Sequence, residues 1–241
     1  MDLVESEPVT MERVTLSLDI VAFALTHDGL VMLLIQRRDE PFAGQWALPG
    51  AVVRPEEGLD AAAARVLRER TRLRPDGYLE QLYTFGDPGR DPRSRTVSVA
   101  YYVLLPQGDH PVAAGRGVAD VRWFPVTELP QPLAFDHQRI AEYALTRLRQ
   151  KVEYAPLAFA MLPETFTMAD LRAVHEAILG EPLHPSNFVR TMLARWDLAP
   201  VPGARDRRTR RPARLYRRLQ PATAPSAPQD PPSTGGRAGS S

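Results

Sequence analysis

The charges of this chain are distributed unevenly along its 241 residues. Residues 1–185 carry 19 Lys and Arg against 26 Asp and Glu, whereas residues 186–219 carry 10 Arg against two Asp. An acidic body followed by a compact basic block predicts two parts with different partners, because a basic block attracts a polyanion such as nucleic acid. The alternative is a poorly ordered basic stretch that flanks a tail.

The composition is that of a globular protein with a real core. Hydrophobic residues make up 44% of the chain and charged residues 24%, which is ordinary for a folded domain. The chain contains no cysteine, so disulfides, thiolate catalysis and cysteine-ligated zinc are excluded. It has neither a signal-peptide pattern nor an apolar run long enough to span a bilayer. We therefore expect a cytoplasmic protein without a membrane partner.

The N-terminal part alternates strand and helix patterns. Residues 1–12 are polar, and we expect them to be flexible. Residues 14–25 and 30–37 are predicted to be strands joined by a turn. The Ala- and Arg-rich stretch 58–73 predicts a helix, and residues 134–152 predict a second, strongly amphipathic one. Further strands are predicted at 78–85, 95–105 and 120–124.

The C-terminal part has a different layout, which begins after a proline-containing connector at 154–163. Thr167 is a suitable N-cap for a helix over 168–179, and Gly180 is a natural stop. A second helix is predicted at 185–195 and a strand at 213–219. Two helices joined by a short turn and followed by a basic hairpin indicate a winged helix-turn-helix over 154–219. The Pro-, Ser-, Gly- and Ala-rich residues 220–241 predict a disordered tail.

The stretch LPGAVVRPEEGLDAAAARVLRERTRL (48–73) carries a chemical motif. It resembles the Nudix box, whose pattern is G-x5-E-x7-R-E-U-x-E-E-x-G-U. In that pattern a helix presents carboxylates from successive turns. These hard oxygen ligands hold Mg²⁺ or Mn²⁺ against a pyrophosphate. The resemblance implies an α+β protein in which a Nudix α/β/α sandwich over 13–153 precedes the winged helix.

The box is degenerate at positions that matter for catalysis. Glu57, Arg65 and Glu69 match the pattern, but Val66 and Arg70 replace two of its glutamates. Valine cannot coordinate a cation, and an arginine places positive charge where the metal would bind. We therefore predict no complete catalytic set, no required cofactor, and weak or absent binding of Mg²⁺ or Mn²⁺. The alternative for this stretch is a simple amphipathic helix with a charged outer face.

The cleft around the box remains a candidate receptor site. Arginines near its strand ends and loops suit phosphate, because a guanidinium donates paired hydrogen bonds. The segments 83–105 and 134–140 resemble those of Nudix proteins that accept ADP-ribose. For Phe135, packing in the core stays open as another role, and any of the arginines can be a surface charge. The predicted ligand-binding residues are Arg37, Arg38, Arg54, Glu57, Arg95, Phe135 and His137.

The C-terminal segments LRAVHEAILGEPLHPSNFVRTMLAR (171–195) and RRPARLYRR (210–218) resemble the NrtR type of Nudix-related transcriptional regulators. This resemblance covers roughly residues 13–219. It implies a repressor of NAD biosynthesis or salvage genes that senses ADP-ribose or a related nucleotide. It also implies a homodimer on double-stranded operator DNA, since a two-fold axis matches a palindromic site.

Side chains at the start of the second C-terminal helix are placed to read bases in the major groove. Ser186, Asn187 and Arg190 form this predicted set, while Phe188, Met192 and Leu193 are expected to face inward. Tyr216 is expected to pack against the domain. The predicted contacts to phosphates or the minor groove come from Arg207, Arg208, Arg210, Arg211 and Arg214.

Two other functions stay open at the level of sequence. The first is an active Nudix hydrolase, an ADP-ribose pyrophosphatase whose C-terminal extension serves dimerisation or nonspecific polyanion binding. The second is an RNA-binding regulator, because a winged helix can also bind RNA.

Overall fold

The computed structural model describes residues 13–27, 29–74, 77–206 and 212–219. The predicted flexible N-terminus (1–12) and tail (220–241) lie outside these residues, as do Arg207, Arg208, Arg210 and Arg211. None of the described helices is long and apolar enough to cross a membrane. The first elements are β1 (Thr15–Thr26), β2 (Gly29–Arg37), β3 (Trp46–Ala47), β4 (Gly50–Val52), α1 (Leu59–Thr71), β5 (Tyr78–Phe85), β6 (Thr96–Leu104), β7 (Val118–Pro125) and α2 (His137–Val152). They are followed by α3 (Leu157–Ala160), α4 (Met168–Leu179), α5 (Pro185–Arg195), β8 (Leu198–Asp206) and β9 (Ala213–Arg218).

A mixed sheet forms the centre of the N-terminal part. Its strand order is β3-β2-β1-β6-β5, with β4 paired to β1 and β7 paired to β2. β1 and β6 run parallel, and the other pairs are antiparallel. Successive side chains of a strand point to opposite faces, so Ile20 and Val21 of β1 enter the hydrophobic clusters on opposite sides of the sheet.

One helix covers each face of this sheet, which gives an α/β/α sandwich. Ala62, Ala63, Val66 and Leu67 of α1 are fully buried against one face. The apolar stripe of α2 is buried in the cluster on the other face. α2 begins at His137 rather than at 134, because Phe135 has a φ of 55°, in the left-handed region that a right-handed helix excludes.

The C-terminal part contains both predicted helices with the predicted bounds, 168–179 and 185–195. Thr167 caps α4 reciprocally: its hydroxyl accepts from the Asp170 amide at 3.0 Å, and its own amide donates to the Asp170 carboxylate at 2.8 Å. Gly180, with φ of 81°, ends the helix. The predicted strand at 213–219 is present as β9, which pairs with β8.

Two elements of the C-terminal part are absent from the sequence prediction. The short helix α3 lies within the predicted connector, and β8 lies between the helix predicted at 185–195 and the strand predicted at 213–219. β8 contains Pro200, Pro202 and Gly203, residues that are depleted in strand interiors, so the sequence carries no strand signal there.

The two parts of the chain share one hydrophobic cluster. Leu148 and Val152 of α2 belong to the same buried cluster as Val174 and Ile178 of α4. Arg149 Nε also donates to the Ile178 carbonyl at 3.0 Å. The winged helix therefore packs directly on the helix that covers the sheet.

α5 is held by two side chains on one helical face. Phe188 and Met192 are 7% and 5% exposed, whereas Leu193 is 45% exposed. The expectation that Leu193 faces inward is wrong. Phe188 and Met192 are four residues apart and therefore share a face of the helix, whereas Leu193, the next residue, points away from that face.

This difference predicts unequal effects of truncation in α5. Met192→Ala should lower the free energy of unfolding by about 2–5 kcal/mol, because it removes buried contacts and leaves a cavity. Leu193→Ala is the matched control and should change it by less than about 1 kcal/mol. Urea denaturation measures both, and equal losses would contradict this placement of α5.

Candidate functional site

A cleft of about 540 Å³ opens at one end of the central sheet. Its floor is the start of β1 with the start of β6, and its walls are β4, the end of α1, the β5–β6 loop and the start of α2. Its lining carries both acidic and basic side chains, and the basic ones come from three separate places in the chain. The basic side chains are Arg37, Arg70, Arg90 and Arg93.

A buried ionic network lies beneath the cleft and joins four of its elements, namely β1, β6, the β5–β6 loop and the start of α2. Asp19 on β1 accepts hydrogen bonds from Ser98 Oγ at 2.7 Å and from Arg90 Nη2 at 2.9 Å. Arg90, in the β5–β6 loop, also donates to both carboxylate oxygens of Asp136 at 2.9 and 2.6 Å. Asp136 immediately precedes α2.

His137 completes this network from the first turn of α2. Its Nδ1 accepts from the Leu48 amide at 2.9 Å, so the ring proton lies on Nε2, which is 3.2 Å from an Asp19 oxygen. Burial raises the pKa of Asp19, but His137, Arg90 and Ser98 outweigh it and hold the pKa well below its usual range. Asp19 is therefore a fixed anion.

Phe135 forms part of the cleft wall and has a strained backbone. It is partly buried, packs against the core and lines the cleft. The guanidinium carbons of Arg37 and Arg93 lie 4.8 and 5.6 Å from its ring centroid, and the Phe42 ring lies 4.8 Å away. Strain of this kind is often found at ligand sites, and a guanidinium near an aromatic ring is attracted to its π-electrons.

The two glutamates that still match the box, Glu57 and Glu69, form ion pairs with arginines. Arg65 donates to both carboxylate oxygens of Glu57 and, at 3.2 Å, to Glu69. Arg54 donates to the other oxygen of Glu69 at 3.0 Å. Hydrogen bonding from Arg65 lowers the pKa of Glu57 to about 2 against the opposing effect of burial. Both carboxylates are thus held in ion pairs along α1.

The two substituted positions of the box do not suit a divalent cation either. Val66 is fully buried under the sheet. Arg70 points towards the cleft and donates to the carbonyls of Gly50 and Arg116. Among the described residues, no group of three or more His, Asp or Glu side chains is arranged to hold a metal. The residues present therefore do not fit the metal that the Nudix pattern implies.

The predicted ligand residues are divided between the cleft and its surroundings. Arg37, Phe135 and His137 line the cleft. Arg38 donates to the Val118 carbonyl and Arg95 to the Gly86 carbonyl, so these two bind backbone next to it. Arg54 and Glu57 lie in the ion pairs of the box rather than on the cleft wall.

The sequence prediction omitted three arginines of the cleft. Arg90 and Arg93 belong to an irregular loop in which acidic and basic residues alternate, and only folding brings them to the cleft. Arg70 was assigned only as a lost metal ligand. The alignment to the Nudix box carried a signal for this role, because it places the positive charge of Arg70 where the pattern has a metal-binding glutamate.

The outer face of α5 is exposed to solvent. Ser186, Asn187 and Arg190 are exposed on it, with Arg190 Nη2 3.3 Å from Asn187 Oδ1. On the hairpin β8–β9, which we call the wing, Arg214 is exposed and lies opposite Arg205. Tyr216 packs against the core, as predicted.

Comparison with known proteins assigns both parts. The NUDIX domain model matches residues 16–144, and the NrtR DNA-binding winged helix domain model matches residues 158–218. This chain belongs to the NrtR family. It combines the mixed α/β Nudix domain with the C-terminal winged helix domain of that family.

Three related proteins, one of them in two solved structures, are similar to this chain. The ADPR responsive transcriptional repressor NtrR of Acinetobacter baylyi is 32% identical over 84% of this chain and 81% of its own length. Shewanella oneidensis NrtR complexed with a 27mer DNA is 35% identical, with a TM-score of 0.71 over 87% of this chain and 95% of that one. Its NUDIX domain complexed with ADP ribose is 36% identical, with a TM-score of 0.54 over 60% of this chain and 94% of that one. An ADP-ribose pyrophosphatase of Methanocaldococcus jannaschii is 34% identical over 48% of this chain and 70% of its own length.

The buried network predicts a pH-dependent loss of stability on removing Asp19. Asp19→Asn should lower the free energy of unfolding at pH 7 by about 3 kcal/mol, the low end for breaking a buried pair, because Arg90 keeps Asp136. The native pKa of Asp19 is depressed, so its contribution is complete above the unfolded value of about 4 and disappears as pH falls.

Urea denaturation at neutral and acidic pH measures this gap between the variant and the wild type, which should narrow below about pH 4. Asp109→Asn, on an exposed loop, is the control. It should leave the free energy of unfolding almost unchanged at both pH values. A gap that widens on acidification would contradict the assignment of Asp19 as a stabilised anion.

Proposed function

We propose that this chain is a transcriptional repressor of NAD biosynthesis or salvage genes that releases operator DNA when ADP-ribose or a related nucleotide binds its Nudix cleft. The observation that carries the proposal is the arginine-lined cleft beside a box whose carboxylates are replaced or held in ion pairs. In this proposal residues 13–153 sense the nucleotide and residues 154–219 bind DNA. The site of action is the cytoplasm, and no cofactor is required.

The size and chemistry of the cleft support a nucleotide ligand. Its volume of about 540 Å³ lies within the range of ordinary small-molecule sites. Cationic side chains favour the phosphates of such a ligand, and the Phe135 ring offers a surface on which a flat group can stack. The ADP-ribose complex of the Shewanella domain supports the same class of ligand.

The geometry of the winged helix supports readout by α5. Asn187 and Arg190 are exposed on its outer face, where Asn pairs with adenine and Arg with guanine in the major groove. The wing presents Arg205 and Arg214, which suit phosphate contacts. We propose a homodimer, because two recognition helices related by a two-fold axis match a palindromic operator.

The helix α2 offers a physical route between the two sites. Its first residue, His137, lies in the network under the cleft, and Arg149 near its other end binds the α4 backbone. Ligand can change DNA affinity only if it binds the two states of the protein with different affinity. A shift of α2 that moves the winged helix is the proposed difference between those states.

An active ADP-ribose pyrophosphatase is the second candidate, favoured by the Methanocaldococcus relative. The ion-paired Glu57 and Glu69, the buried Val66 and the cationic Arg70 argue against it. With purified full-length chain, ADP-ribose and Mg²⁺, we expect no measurable hydrolysis. Product measured by chromatography at about 1 turnover per second, the low end for enzymes, would favour the hydrolase.

The main test is a gel shift with the DNA upstream of this gene and its neighbours. The full-length chain should retard one of these duplexes, and added ADP-ribose should release it. Retention of the DNA at saturating ADP-ribose would contradict the sensor role. Preference for duplex RNA over duplex DNA in competition would favour an RNA-binding regulator instead.

Substitutions in α5 and the wing make the same experiment residue-specific. Arg190→Ala should cost about 1–3 kcal/mol of binding and relax the sequence preference, because it removes a base contact. Arg214→Ala should weaken all sequences alike and reduce the salt dependence. Arg147→Ala, exposed on α2, removes the same charge elsewhere and should leave binding unchanged. Equal, sequence-blind losses for Arg190 and Arg214 would count against major-groove reading.

A further inference from the structure

Two cleft arginines differ from the others because, within the described residues, neither forms an ion pair with a carboxylate. Arg90 is paired with Asp19 and Asp136, and Arg93 is paired with Asp91. Arg37 and Arg70 form no ion pair within 4 Å with any carboxylate of the described residues, and their hydrogen bonds go to carbonyl oxygens. For Arg37 these are the carbonyls of Pro41 and Asp39.

Arg70 is held in place by backbone on two sides. Its Nε donates to the Gly50 carbonyl at 3.2 Å, and its Nη1 donates to the Arg116 carbonyl. A side chain at Gly117 would come within 2.8 Å of the same Nη1. The guanidinium of Arg70 is thus held closely between β4 and the loop before β7. The carbonyl groups fix its orientation but do not neutralise its positive charge.

The charge environment of both guanidiniums is consistent with an anion site. Burial, Arg93 and Arg70 lower the pKa of Arg37, in part against Asp39 and Asp91. Burial likewise lowers the pKa of Arg70, against the attraction of Glu69 and Asp39. Half-buried cations whose pKa is lowered by burial and by neighbouring cations are stabilised in the charged form when an anion binds beside them.

We propose that Arg70 and Arg37 bind the diphosphate of the nucleotide directly, in place of a divalent cation. This rests on the proposed function, because it names how the same cleft holds its ligand. The Nudix pattern places a metal-binding carboxylate at position 70, whereas an arginine there brings its own positive charge to the phosphates. A planar guanidinium also donates paired hydrogen bonds to phosphate oxygens. Nucleotide binding by this chain is therefore independent of divalent metal.

The test is the dissociation constant of ADP-ribose for the full-length chain, measured by calorimetry in EDTA and again in Mg²⁺. The wild type should bind with the same constant, within about twofold, in both buffers. Arg70→Gln and Arg37→Gln should each weaken binding by about 10- to 100-fold in both, the loss expected for one charge-assisted contact. Arg68→Gln, exposed on the same helix, removes an equal charge outside the cleft and should bind like the wild type.

The outcomes separate this inference from the proposed function. Wild-type binding in Mg²⁺ but not in EDTA would overturn metal independence and leave the ADP-ribose sensor intact. Unchanged affinity of Arg70→Gln in EDTA would also overturn the inference. Absence of binding in both buffers would overturn the sensor itself, and the inference with it.

Thermal unfolding of each variant establishes that it is folded before its affinity is interpreted. If Arg70→Gln does not fold, the affinities of Arg70→Lys and Arg37→Gln for ADP-ribose test the proposal instead. Lysine keeps the charge but loses the planar fork, so Arg70→Lys should bind more weakly than the wild type. Wild-type affinity in both of these variants would overturn the proposal.

Discussion

The fixed anion of Asp19 is the interaction on which the cleft depends. A charge buried this deeply is tolerated only because each of its neighbours donates to it, and the donors come from distant parts of the chain. Arg90 then ties the β5–β6 loop to Asp136, and His137 ties α2 to the backbone at Leu48. The Gly50 position is part of the same constraint, since a Cβ there would come within 2.3 Å of an Asp19 oxygen. The network thereby positions the start of α2 and the β5–β6 loop, which carries Arg90 and Arg93.

The Nudix box of this chain keeps the helix of the pattern while a few substitutions change the charged groups that the helix presents. Its helix keeps the burial and the turns that place it on the sheet, because Ala62, Ala63 and Leu67 still pack there. What differs is charge: Arg65 and Arg54 hold the remaining carboxylates, and Arg70 binds backbone at the cleft. Ion pairs within one helix and its preceding loop keep these acids away from a ligand. In the proposed function, the end of a helix that binds a metal in the Nudix pattern binds an anion instead.

The packing between the two parts would let the proposed nucleotide binding influence the winged helix. Leu148 and Val152 share a cluster with Val174 and Ile178, and the Arg149 hydrogen bond crosses the same contact. Close-packed interiors transmit displacement because they have little free volume to absorb it. A small movement of the α2 N-terminus would therefore be carried towards α4 and, through Phe188 and Met192, towards α5.

The sequence by itself determined the local elements and the character of the two parts. The cap at Thr167, the stop at Gly180 and the proline at the start of α5 set helix bounds through their own backbone chemistry, so those bounds were predictable. The substitutions at Val66 and Arg70 were likewise visible in the alignment to the box. Only the tertiary structure decided that Arg90 and Arg93 reach the cleft, that β8 forms despite its prolines and that Leu193 faces outward. The physical reason is range: caps and periodicity act within a few residues, whereas the contacts around Asp19 join residues more than 70 positions apart.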